Sequence, residues 1–182
     1  MLWWLLPLVV VILVAFLFNR LVGLRNRAAA AWSDIDVQLK RRHDLVANLV
    51  ETVKAYVAHE AGTLQQVTDA RTRAESATGG GPRAAGQAEN VLSGQLRTIF
   101  ALAENYPDLK ASQNFQDLHR SLEALEDAIQ NARRYYNAVV RDFNTRIQSI
   151  PDLLVARPFG FTEREYFELD DRSEAQVPRT SF

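Results

Sequence analysis

The chain has 182 residues, 47% of them hydrophobic, no cysteine and a formal net charge of −1. That length suits one domain plus an anchor and not two full cores. The absence of cysteine excludes disulfides, thiolate metal sites, thiol nucleophiles and cysteine lipidation, and the near-neutral, interspersed charge gives no electrostatic footprint for a nucleic-acid partner.

The apolar residues are concentrated at the start. Leu2 to Phe18 is bulky throughout and carries no charge. Roughly 20 such residues span a bilayer core as a helix. Leu21, Val22 and Leu24 extend the run while Arg20 snorkels. Trp3 and Trp4 stand where an interfacial aromatic belt places them, and Pro7 falls in the first turns, where a missing amide donor costs little. A cleaved signal peptide would want a basic leader and a small-x-small site; here no Lys or Arg precedes the run, and Asn19-Arg20-Leu21 follows it. The segment 1–24 therefore reads as a transmembrane anchor. Arg20, Arg25 and Arg27 lie just after it, so the positive-inside bias puts the N-terminus outside and the following domain on the cytoplasmic side of the cell membrane.

From Leu24 to about Ala77 there is no proline. Trp32, Ile35, Leu39, Val46, Leu49, Val53 and Tyr56 recur at three-or-four spacing, the stripe of one long helix, and Arg42 fills one of its steps. Leu64 and Val67 continue the stripe more weakly. Between Phe18 and Ala28 only Gly23 is a breaker, so a continuous helix would carry the domain well away from the bilayer. Thr78-Gly79-Gly80-Gly81-Pro82 ends this stretch. No strand precedes it and no Gly-Lys-Ser/Thr opens a helix after it, so it reads as a hinge and not as a phosphate loop. A second helix is expected over 84–104, with Asn105-Tyr106-Pro107 stopping it and Asp108 to Ala111 as the turn. A third helix runs from Gln113 to Ser149, carried by the stripe Phe115, Leu118, Leu122, Leu125, Ile129, Ala132, Tyr136, Val139, Phe143, Ile147 and Ile150. It would be about 55 Å long, with Pro151 as its stop. Leu153 to Phe161 reads as an extended segment over the end of the bundle, and 162–182 as a partly mobile tail.

The fold class is thus all-α: an N-terminal transmembrane helix followed by an antiparallel, four-helix-bundle-like domain over 25–161. Four segments of that domain resemble the LemA family. They are Leu24-Arg25-Asn26-Arg27 with Ala31 to Leu45; Asn48 to Tyr56 with His59-Glu60; Glu104 to Ala111 with Asn114-Phe115; and Ala132 to Asn137 with Phe159-Gly160-Phe161 and Tyr166-Phe167. The resemblance implies an N-terminal anchor, an antiparallel helical bundle and an outward N-terminus. The family has no established enzymatic activity, and a related protein takes part in building magnetosome membranes. Family members often carry Pro where this chain has Ala47, which implies a straighter first helix here.

No catalytic, cofactor or metal site is expected. A di-iron bundle needs Glu-x-x-His pairs on two helices, and the residues three before His43, His59 and His119 are Lys40, Tyr56 and Gln116. There is no Gly-x-Ser-x-Gly and no Ser-x-x-Lys. The candidate interaction or register residues are Trp32, Lys40, Arg41, Arg42, His43, Asp44, Tyr106, Arg133, Arg134, Phe159 and Phe161. Within the run 40–44, Lys40 and Arg41 read as solvated, and Arg42 as paired to Glu123, Glu126 or Asp127; binding of a lipid phosphate or a partner is the sharper alternative. The expected partners are the lipid bilayer, further copies of the chain and an unidentified protein. Self-association is expected because two long stripes beside one short helix would leave apolar surface uncovered. The function that follows is a membrane-anchored scaffold or interaction protein. A membrane-tethered sensor or adaptor is the alternative, and an unrecognised hydrolase or metal enzyme ranks last.

Overall fold

The computed structural model describes residues 3–57 and 60–169. His59 and the tail from 170 onward lie outside the described residues. Among the described residues six α-helices follow in chain order: α1 (Leu5–Lys54), α2 (Ala61–Ala77), α3 (Pro82–Ala103), α4 (Pro107–Ala111), α5 (Gln113–Gln148) and α6 (Asp152–Ala156), with a 3₁₀ turn at Thr78–Gly80. Among the described residues there is no strand, so the architecture is all-α, built from the packing of long helices.

α1 is one unbroken helix of 50 residues. It passes through Gly23 and Ala47 without a break, as the lack of any proline after Pro7 allows. It stops earlier than the expected 77. The last turn tightens, with the Tyr56 amide bonded to the Val53 carbonyl three residues back at 2.9 Å. The stripe itself has a gap there: after Val53 and Val57 the next core-facing step is the charged Glu60. α2 starts a separate helix with its own face of Leu64, Val67, Ala70 and Ala74.

The chain divides into two compact units, residues 1–42 with 123–166, and 43–122 with 167–182. In the second, Val46, Leu49 and Val53 of α1, Leu64 and Val67 of α2, Leu92, Leu96 and Ile99 of α3, Leu109 of α4, and Phe115 and Leu122 of α5 form one core. Burying a side chain of this size stabilises by about 1.5–3 kcal/mol. α2 and α3 pack along each other through the turn at Gly81, whose φ of 95° suits glycine and delivers Pro82 to the first helical position. α4 is a helical turn in place of the expected loop, opened by Pro107 at the same favoured position.

In the first unit Leu17 and Leu21 of α1 pack with Phe143 and Ile147 of α5 and Val155 and Ala156 of α6. Further along, Ala28, Ala31, Ile35 and Leu39 of α1 are buried, as are Leu125, Ile129, Tyr136 and Val140 of α5. The stripe of α5 differs from the expected one in three places: Arg133 and Val140 are buried where Ala132 and Val139 are only half-buried, and Ile150, expected to close the stripe, lies past the end of the helix and is exposed. The expectation of an extended run after Pro151 is also corrected. Residues 152–156 form α6, because Asp152, Val155 and Ala156 sit at helical spacing and all three are buried. The folded unit therefore begins at Leu17 and is not held away from the end of the apolar run.

Candidate functional site

Charged side chains interrupt the apolar interior of both units. In the first, Arg42 of α1 is buried and its Nη2 lies 3.1 Å from Glu126 Oε2 on α5. Of the three carboxylates named above, Glu126 is thus one that Arg42 meets. Arg42 occupies a core step of α1 between Leu39 and Val46, so the pair fixes how α1 and α5 are registered more than it stabilises them. Trp32, half-buried on the same helix, sets its ring 5.6 Å from that of Tyr136. The Tyr136 hydroxyl donates to the Glu165 carbonyl at 2.8 Å. Burial pushes the Tyr136 phenol above its ordinary value; nearby Arg164 opposes the shift and Glu165 adds to it. Tyr135, beside it, is exposed.

In the second unit a buried polar contact joins His43 Nε2 of α1 and Glu89 Oε1 of α3, 2.6 Å apart. The Arg71 Nε of α2 donates to the His43 carbonyl at 2.8 Å. His43 and Glu89 are almost wholly shielded from solvent. A histidine held by a carboxylate is an arrangement used for proton transfer, but proton transfer to a substrate requires access to the reacting atom. Here both side chains are enclosed, and what the pair does is tie three helices at one level. Lys40, Arg41 and Asp44, which flank it in sequence, are exposed.

The remaining candidates lie apart. Tyr106 caps α4 and packs on the second core, with its hydroxyl 3.5 Å from Glu60. Arg133 is buried, while Arg134 is exposed and bonds Asn131 at 2.6 Å. Phe159 and Phe161 lie 4.9 and 5.7 Å from the Phe18 ring. An open depression of about 350 Å³ is lined by Phe100, Phe115, His119, Lys110 and Arg120. Its cations are already matched, Lys110 by Glu104 and Arg120 by Asp117. Among the described residues no group of three or more His, Asp or Glu is placed to hold a metal ion.

Sequence reading named His43 and missed Glu89. The signal was present: Ala85, Glu89, Leu92, Leu96, Ile99 and Ala103 are the buried positions of α3 at three-or-four spacing, and Glu89 fills one step as Arg42 does in α1. Arg71 and Asp152 carried no such mark. Asp152 is a buried acid that accepts from Arg20 Nη2, so Arg20 is bound to the folded unit instead of snorkelling alone.

The sequence pattern of the LemA family matches residues 31–182. The chain belongs to the LemA family. Curated relatives include Magnetosome protein MamQ 2 of Paramagnetospirillum magneticum, 26% identical over 175 residues, which cover 83% of this chain and 64% of the relative. Magnetosome protein MamQ of Magnetospirillum gryphiswaldense is likewise 26% identical, over 82% of this chain and 64% of the relative. Protein LemA of Metamycoplasma hominis is 25% identical over 87% of this chain and 72% of its own length. The chain thus spans less than two thirds of the magnetosome proteins it matches. Most of the charged framework falls within the LemA match, including Arg42, His43, Glu89, Glu126 and Tyr136.

Proposed function

We propose that this LemA-family chain is a membrane-anchored helical scaffold. It would hold its folded units at the inner surface of the cell membrane and engage copies of itself and further protein there. The observation that carries this reading is α1. Its first part, from Leu5 to Phe16, is apolar and largely bare of protein contacts, and the same helix then supplies core residues downstream. Anchor and fold are one element. The arginines at 20, 25 and 27 support an outside N-terminus. The naming of two relatives as magnetosome proteins fits a role at a membrane.

The motive for self-association changes with the structure. The stripe of α5 is buried within the single chain at Phe115, Leu122, Leu125, Ile129, Tyr136, Val140, Phe143 and Ile147. The apolar surface left for another copy is then the bare part of α1, together with the exposed Ile150, Leu154 and Phe159. Light scattering on the full-length protein in lipid nanodiscs gives the protein mass per particle. A defined oligomer that persists when excess empty lipid is added supports the scaffold. Protein that dilutes to monomers overturns its self-associating form.

The sensor or adaptor reading draws on one observation, the unbroken run of α1 across Gly23. Two glycines inserted after Gly23 would abolish a signal carried by that helix and leave a pure scaffold assembled.

A further inference from the structure

The bare part of α1 is short for the task. Leu17 and Leu21 are buried against α5 and α6, and Val14 packs on the same cluster, so the largely bare stretch of α1 runs from Leu5 to about Phe16. At 1.5 Å per residue that is about 18 Å, against a hydrocarbon core of about 30 Å. A mismatch of this size is commonly relieved by thinning the bilayer or by recruiting other apolar surface.

Such surface is present at the right level. α5 runs antiparallel to α1: Tyr136 stands against Trp32, while Phe143 and Ile147, further along α5, join Leu17 and Leu21. The chain leaving α5 is therefore heading toward the apolar end of α1. There it exposes Ile150 (77%), Leu154 (69%) and Phe159 (56%) to solvent. The other large exposed hydrophobics outside the apolar run, Val37, Tyr56, Val91 and Tyr135, are well separated in sequence and need no explanation. These three fall within one short segment, and the Phe159 ring rests 4.9 Å from that of Phe18 on the anchor. Through that contact Phe159 adjoins the apolar part of α1. The edge of this patch is basic: Arg157 is exposed beside it, and the Arg25 guanidinium lies 5.4 Å from the Phe161 ring centre. Apolar side chains with a basic rim are what an interfacial membrane segment presents.

We propose that the segment from Ile150 to Phe159 is a second membrane contact, a collar around the anchor whose Ile150, Leu154 and Phe159 side chains enter the boundary between headgroups and acyl chains. Its partner is the lipid of the bilayer that α1 spans. The collar makes up the missing lipid-facing height of α1 and leaves the ion pair of Arg20 and Asp152 at the level of the headgroups. The proposal rests on α1 being a membrane span.

The chain has no native cysteine, so single reporters are simple to place. Leu154→Cys, Ile150→Cys, Leu8→Cys and Tyr135→Cys, each in the full-length chain, are labelled with a polarity-sensitive fluorophore. They are reconstituted in phosphatidylcholine–phosphatidylglycerol vesicles containing lipid with a nitroxide on the acyl chain near the headgroup. Quenching at 154 and 150 several-fold above that at 135 is the expected result. Quenching at Leu8 with 154 and 150 no higher than 135 overturns the collar and keeps the anchor, leaving the patch to a protein partner or a second copy. Absence of quenching at Leu8 overturns the membrane span and the collar together.

Discussion

His43 on α1 and Glu89 on α3 meet at 2.6 Å with both side chains enclosed, and Arg71 of α2 binds the backbone of the same histidine. A pair of this kind is costly to break and cheap to replace as a whole, because removing one partner leaves the other buried without its match. Glu89→Met alone, and His43→Leu alone, are each expected to destabilise by about 3 kcal/mol. The double variant His43→Leu, Glu89→Met should lie within about 1 kcal/mol of the starting protein. Urea unfolding of the four members of the cycle tests this; simple additivity of the two single losses would show that the residues do not act as a pair.

The same two residues mark how far the sequence can be read. Helices were legible where apolar side chains kept three-or-four spacing, as in α5, whose ends fall within a residue of the expected 113 and 149. Arg42 was legible as a core residue because it interrupts such a stripe, and Glu89 interrupts the stripe of α3 in the same way. What spacing cannot say is which buried polar side chain meets which, since His43 and Glu89 are 46 positions apart. Nor could it place α6, where the prolines at 151 and 158 mask five helical residues. The end of α1 at Lys54 lacks any proline or glycine. It is set by a gap in the stripe, a weaker signal than a breaker.

Tyr136 gives the first unit an alkaline limit. Its phenol is neutral, buried and donating to the Glu165 carbonyl, and burial raises its pKa above the ordinary 10.0. In the unfolded chain the phenol ionises near 10; in the folded chain it holds its proton to higher pH. The stabilisation is therefore complete below pH 10 and is lost as pH rises from there through the raised value. Tyr136→Phe should cost about 1 kcal/mol at neutral pH through the lost hydrogen bond. Melting of both proteins between pH 8 and 11, run side by side, should show their difference narrowing only above about 10. A constant difference would mean that the phenol titrates alike in both states.

Two glycines of α3 should respond in opposite directions to the same change. A Cβ at Gly86 would sit 2.4 Å from the Glu168 carbonyl oxygen, whereas one at Gly94 would meet nothing within 4 Å. Alanine gains about 1 kcal/mol over glycine in a helix interior, so Gly94→Ala should stabilise by about that amount. Gly86→Ala should destabilise despite the same intrinsic gain, because the backbone leading to buried Phe167 and Leu169 has to move. Thermal melts settle it. Equal stabilisation by both substitutions would show that residues 167–169 do not pack on α3.

Asn144 holds the segment that follows the collar. Its Nδ2 donates to the Arg164 carbonyl and its Oδ1 accepts from the Arg164 amide, both at 2.9 Å. One side-chain amide thus matches both backbone groups of one residue, as a neighbouring strand would. Asn144→Asp keeps the acceptor and loses the donor, leaving a carboxylate oxygen against a carbonyl; Asn144→Leu loses both bonds. Each bond contributes about 1 kcal/mol, so amide exchange at Arg164 should rise about fivefold or more in the aspartate variant, and further in the leucine variant. The Tyr136 contact to Glu165, next along the chain, should loosen with it and raise exchange at Tyr166. If exchange at 164 is unchanged in both variants, the segment is held by its apolar anchors at Phe161 and Phe167, and Asn144 only fills space beside it.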